Sequence, residues 1–336
     1  MTTETPLLEA RGVTKEFAVR KGVLGTKKTV LAVNDVSFAV APGETYAIVG
    51  ESGCGKSSLA NSLLMLDPPT RGDVVFDGSV INSWRGKRIT SLRAQMQVIF
   101  QDPYASLNNR RTVGKLVGEP LKVHAKNLSG REIKARVADM LERVGLTAAD
   151  VGRYPFEFSG GQRQRIGVAR ALISNPKIVI CDEPVSALDV SIQAQVLNLL
   201  KDLQKDLNLS YVFISHDLSV VNHIADRIGV MYLGRIVEEG TVEQLFSNPA
   251  HPYTRALIRS IPTGRFSDHG RYKLEGDVPS PLDIPPGCAF AGRCEFAQDR
   301  CFTENPEARV AAGVLVRCHF PLNIENNSNN EKKEEN

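Results

Sequence analysis

Residues 50–57 read Gly50, Glu51, Ser52, Gly53, Cys54, Gly55, Lys56, Ser57, the order G-x-x-x-x-G-K-S, between the apolar run Tyr46-Ala47-Ile48-Val49 and a helical pattern. Glycines at these places let consecutive backbone N–H groups turn inward around phosphate oxygens, and the helix N-terminus adds positive potential. In that setting Lys56 neutralises the β- and γ-phosphates of a nucleoside triphosphate and Ser57 ligates Mg²⁺, with Ser58 beside them in the contact set. Cys54 is expected to fill space, because the loop uses its backbone there. A second chemical group follows at Ile178-Val179-Ile180-Cys181-Asp182-Glu183, an apolar strand pattern ending in two acids. A carboxylate at the C-terminal edge of a strand lies where nucleotides bind in such sheets. Asp182 then holds Mg²⁺ through water, and Glu183, one residue on, polarises the attacking water.

Two further clusters have suggestive types. Phe158 is followed by Ser159, Gly160, Gly161 and Gln162 at the head of an amphipathic helical pattern; Ser159 suits an N-cap and the glycines let amides approach an anion closely. Near the end of the chain Cys288, Cys294, Cys301 and Cys318 are spaced C-x₅-C-x₆-C-x₁₆-C, and so many thiols in a short stretch suggest one shared centre. Thiolates suit both Zn²⁺ and Fe–S clusters, and the spacing does not choose between them. A closed four-cysteine site is structural rather than catalytic, and His319 is read as a neighbour and not a ligand.

Elements must position these groups. β-like runs are expected at Tyr46–Val49, Val74–Phe76, Gln97–Phe100, Ile178–Cys181, Ser210–Ile214 and Arg227–Tyr232, with helical segments between several of them, so the fold class is α/β with a largely parallel central sheet. Between Asp102 and Arg170 helical patterns such as Arg131–Val144 and Gln162–Ile173 take over, which predicts a lateral helical subdomain. After about Ser260 proline becomes dense and periodicity poor, and residues 323–336 are nearly all Asn, Glu, Lys and Ser, which predicts a tail too polar to fold.

At 336 residues and 42% hydrophobic, the chain can bury one substantial core and carry a smaller appended unit. Lys and Arg total 41 against 38 Asp and Glu, a formal charge of +3, too balanced for a nucleic-acid footprint. No apolar run reaches the roughly 18 to 20 residues needed to cross a bilayer, and the polar start lacks a secretory pattern, so a cytoplasmic protein is expected. In such a compartment six cysteines point to metal ligation or burial before disulfides.

The ordered set of motifs resembles the ABC ATPases over roughly residues 7 to 260. Phe158-Ser159-Gly160-Gly161-Gln162 is similar to their signature, with Phe in place of the usual Leu; Gln101 resembles the Q-loop glutamine, Ser186-Ala187-Leu188-Asp189 the D-loop, and His216 the switch histidine. Phe17 is the candidate for stacking on adenine, with a buried strand aromatic as the alternative. The resemblance implies a P-loop NTPase fold with a RecA-like core, a β-subdomain and a helical subdomain at about 102–170, together spanning 1–260. It also implies a head-to-tail dimer with ATP between one P-loop and the other subunit's signature. Catalytic roles then fall to Glu183, His216 and Gln101, and Gln101 joins Ser57 and Asp182 around Mg²⁺.

Gln101-Asp102-Pro103-Tyr104-Ala105-Ser106-Leu107-Asn108, Leu188–Gln195 and His251-Pro252-Tyr253-Thr254 further resemble the bacterial oligopeptide/dipeptide importer ATPases. That implies a Cys-rich irregular C-terminal domain at 261–322, a paralogous ATPase or a second copy as dimer partner, two transmembrane permeases, an external solute-binding protein, and a place on the cytoplasmic face of the inner membrane. It favours a [4Fe–4S] cluster on Cys288, Cys294, Cys301 and Cys318, with Zn²⁺ as the alternative. Nickel and other small-solute importers share much of the pattern. Soluble ABC ATPases of DNA repair or translation usually carry coiled-coil insertions or paired cassettes, and neither occurs here.

Overall fold

The computed structural model describes residues 5–20, 27–125, 127–261, 276–311 and 313–322; the expected tail at 323–336 and the stretch 262–275 lie outside them. The strands are β1 (Leu8–Arg20), β2 (Lys27–Val40), β3 (Thr45–Val49), β4 (Arg71–Phe76), β5 (Ser79–Val80), β6 (Met96–Ile99), β7 (Ile178–Asp182), β8 (Ser210–Ser215), β9 (Arg227–Tyr232), β10 (Arg235–Thr241), β11 (Arg309–Ala311) and β12 (Val314–Val316). They form two sheets. The larger runs β11-β12-β10-β9-β3-β8-β7-β6, and its β9-β3-β8-β7-β6 portion is parallel. The smaller is antiparallel, in the order β2-β1-β4-β5.

Strands β3 and β8 are buried at every position, as expected for parallel strands covered on both faces. Their side chains alternate between two cores. Ala47, Val49, Val179, Cys181, Tyr211 and Phe213 face the core shared with the helices. Tyr46, Ile48, Ile178, Ile180, Val212 and Ile214 face the core under the smaller sheet and the helix Lys56–Leu63. Burying each large apolar side chain contributes roughly 1.5–3 kcal/mol, so a one-residue slip of β3 would exchange the two cores and is strongly disfavoured.

Between residues 102 and 172 the chain is helical, with its longest helices at Gly130–Arg143 and Gly160–Leu172. Ser129 and Ser159 each cap with a reciprocal partner, Glu132 and Gln162. Beyond residue 276 the described chain is more regular than its proline content predicts. β12 pairs with β10 through Glu238↔Val316 and Glu239↔Leu315, and Phe290, Val314 and Val316 belong to the helical-side core. This segment therefore continues the main sheet instead of packing as a separate layer.

Candidate functional site

The loop after β3 opens onto a cleft of about 670 Å³ lined by residues 51–58 together with Gln101, Glu183 and His216, a size usual for small-ligand sites. Glycine is required in this loop for two reasons. A Cβ on Gly55 would lie 2.0 Å from the Ala32 carbonyl oxygen, with φ at +108°; a Cβ on Gly50 would lie 2.2 Å from the Met231 carbonyl oxygen. The Gly234 N–H donates to the Cys54 carbonyl at 2.8 Å, bracing the turn. Cys54 is buried, its thiol raised by burial, which fits a packing role rather than a reactive one.

The Lys56 ammonium donates to the carbonyls of Gly50 at 2.7 Å and Glu51 at 3.0 Å, so it lies across the loop it serves. Ser57 Oγ donates to Asp182 Oδ1 at 3.2 Å, bringing two oxygen ligands of a hard cation together. Burial raises Asp182, and neighbouring Glu183 raises it further, although the Ser57 bond opposes both. A cation here would relieve that cost.

Glu183 is the pivot of the cleft. Its Oε2 accepts from Gln101 Nε2 at 2.9 Å, and its Oε1 lies 3.2 Å from His216 Nδ1. The backbone at Glu183 is left-handed, φ +46°, a strained conformation for a non-glycine residue, costing about 1–3 kcal/mol. Its N–H nevertheless donates to the Ile214 carbonyl at 3.0 Å, which pins the residue at the end of β7 beside β8. The strain thus turns the carboxylate into the cleft and holds it between two side chains from different strand ends.

Not every expected residue meets there. Phe17 does not line the cleft; it is 38% exposed, which excludes the buried-aromatic reading, and it pairs across the strands with Val30, which does line it. Ser159, Gly160, Gly161 and Gln162 do not line the cleft of their own chain. Gly160 and Gly161 pack instead against Leu188 and Ile192, beside the segment Ser186–Asp189.

Contacts from distant parts of the chain complete the loop. Tyr253 Oη accepts the Glu51 N–H at 3.0 Å, and Arg293 grips the Glu51 carboxylate through two bonds of 2.6 and 2.9 Å. Tyr253 carries a sequence signal in His-Pro-Tyr-Thr; Arg293 carries none beyond standing next to Cys294.

The four late cysteines line one small apolar cavity with Phe290, Phe296 and Phe320, about 10 Å³ of free room. Burial raises Cys288 and Cys294 and pushes Cys318 up to about 12. His319 lines the same cavity, and its Nε2 sits 2.9 Å from the Glu304 carbonyl. Among the described residues no three Cys, His, Asp or Glu side chains are set to hold a metal ion as they stand.

Residues 33–186 match the family described as ABC transporter, and residues 237–301 match the oligopeptide/dipeptide transporter C-terminal region. The dipeptide transport ATP-binding protein DppF of Haemophilus influenzae is 50% identical over 94% of this chain and 96% of its own length. The chain belongs to the ATP-binding subunits of ABC transporters. As such an ABC ATPase, it is also similar to the oligopeptide transport ATP-binding protein AppF of Bacillus subtilis, 49% identical over 94% of this chain and 97% of that protein. Among solved structures, an ATP-binding cassette in a dimeric post-hydrolysis state with ADP and Pi superposes with a TM-score of 0.62. It is 30% identical and covers 70% of this chain and 98% of that one. No helix among the described residues is long and apolar enough to cross a membrane.

Proposed function

We propose that this ABC ATPase hydrolyses ATP at the cleft above β3 to power import of di- and oligopeptides through membrane permeases. The observation that carries the reading is Glu183, strained into the cleft and held by Gln101 and His216 beside a complete phosphate-binding loop. The loop amides and Lys56 bind the triphosphate. Glu183 orients a water and takes its proton as it attacks the γ-phosphorus; His216 contacts the γ-phosphate and keeps Glu183 in place. Ser57, Asp182 and Gln101 are the residues that would hold Mg²⁺, which when bound neutralises charge on the phosphate oxygens.

The signature Ser159-Gly160-Gly161-Gln162, which does not line its own cleft, serves the cleft of a second subunit, either another copy or a paralogous ATPase. ATP then closes the dimer, closure moves permease helices docked near Gln101, and hydrolysis reopens it. The subunit sits peripherally on the cytoplasmic face of the inner membrane through those permeases, and a solute-binding protein delivers substrate outside. The peptide assignment is supported by the relatives' names and by the matching C-terminal region.

The four thiols around one apolar cavity would supply the donor set of a [4Fe–4S] cluster, with His319 also in the lining. The free room is smaller than such a group, so Cys288, Cys294, Cys301 and Cys318 would have to move apart to hold it. Its chemistry would be structural: tying together the short turn, helix and loop segments that carry the four thiols.

Reconstituted with its permeases and binding protein, the subunit should drive uptake of dipeptides into vesicles that depends on ATP on the subunit's side. ATP-driven uptake of nickel with none of peptide would overturn the solute assignment. Anaerobically purified protein should be brown with about four irons per chain; colourless protein with stoichiometric zinc would replace the cluster by a zinc site.

A further inference from the structure

Glu51 occupies the second position of a loop whose purpose is to surround phosphate with positive potential, and it lines the cleft. A free carboxylate there opposes the ligand. It is not free. Arg293 meets it in a fork, Nη1 to Oε2 at 2.6 Å and Nη2 to Oε1 at 2.9 Å, with the Arg293 side chain 5% exposed and that of Glu51 28%. Two charge-assisted bonds in one plane fix both charge and direction.

The guanidinium is itself seated. Its Nη1 lies 3.4 Å from Tyr232 Oη, and its centre stands 6.0 Å from the Tyr232 and Phe290 rings. Tyr232 packs edge to face on Tyr253 and Phe290, which are tilted against each other, with ring centres 4.7 to 5.4 Å apart, and Tyr253 also holds the Glu51 N–H. Both the backbone and the side chain of Glu51 are therefore held by residues from the C-terminal part of the chain, 202 and 242 positions away. Arg293 ends a short turn, Ala291–Arg293, whose flanks Cys288 and Cys294 line the thiol cavity.

We propose that Arg293 is a positioning residue for the nucleotide site, neutralising Glu51 and drawing it off the phosphate path so that the cysteine-lined segment sets ATP affinity. The proposal rests on the reading of this cleft as an ATP site. Removing Arg293 leaves a carboxylate uncompensated beside the triphosphate, so R293Q should bind MgATP on the order of tenfold or more weaker. The loss should appear in KM for ATP with kcat little changed, since the contact is equal in ground and transition states.

The test is a double-mutant cycle on the full chain: equilibrium titration with MgATP of the wild type, R293Q, E51Q and E51Q/R293Q, with K56A as control. Charge neutralisation predicts that R293Q weakens binding much less in the E51Q background than in the wild type. R293K, keeping charge but not the fork, should lie between wild type and R293Q; if R293Q does not fold, R293K against E51Q/R293K decides in the same way. An equal loss in both backgrounds would overturn the proposal, as would R293Q binding like wild type while K56A fails to bind. Wild-type protein with no affinity for MgATP would instead remove the ATP reading itself, and the role of Arg293 with it.

Discussion

Glu183 combines a strained backbone, two side-chain partners and a place at the end of β7, the geometry on which its proposed role as base rests. Replacing it with Gln keeps size and hydrogen bonding but removes the base. Glu183→Gln should retain ATP binding, accumulate a closed dimer, and lose roughly 10²–10⁴ in phosphate-release rate; turnover within a few-fold of wild type would take that role from Glu183. Most residues of the cleft were legible from sequence, since phosphate chemistry imposes a local run of glycines ending in Lys56 and Ser57, and strand-end carboxylates announce themselves. Arg293 was not, because the residue it serves is 242 positions distant and nothing nearby in sequence reveals the pairing. Phe17 shows the opposite limit: its type was legible, yet it sits opposite a lining residue rather than in the lining.

At the scale of elements, the parallel strands and the helices at Gly130–Arg143 and Gly160–Leu172 follow closely from apolar runs and caps, because burial on both faces leaves an unbroken hydrophobic signature. The hairpin β11–β12 was hidden by its shortness and the surrounding prolines; its pairing to β10 depends on tertiary contact rather than on local pattern. The helix Pro252–Arg259, which joins the two regions, starts from His251, whose Nδ1 accepts the Tyr253 N–H at 3.0 Å. His251 is wholly buried, and burial holds its imidazole at about 4. An unfolded histidine protonates near 6.5, so between these values the unfolded chain binds the extra proton. This residue's contribution is full above pH 6.5 and is lost as pH falls towards 4. Denaturant midpoints should therefore be lower at pH 5 than at pH 7, and His251→Asn, which can still cap, should flatten that difference. Glu238, raised by burial and acting in the opposite sense, is common to both proteins. Coincident pH profiles of wild type and variant would contradict this assignment.

As a whole molecule, the described chain holds a complete phosphate-binding loop and a signature segment that does not line its own cleft. The head-to-tail pairing proposed above would use both halves, each subunit completing the other's site. Sequence carried both halves in readable motifs, and the family resemblance already implied that they serve the clefts of different subunits. The C-terminal segment continues the main sheet and reaches back to Glu51, so the phosphate-binding loop is braced from a distant part of the chain. In the proposed ATP site, Lys56 carries much of the hold on the phosphates. Calorimetric titration of MgATP into wild-type and Lys56→Ala protein tests this. A loss of affinity on the order of a hundredfold, together with loss of ATP-driven dimerisation, is predicted; unchanged affinity and unchanged hydrolysis in the variant would contradict it.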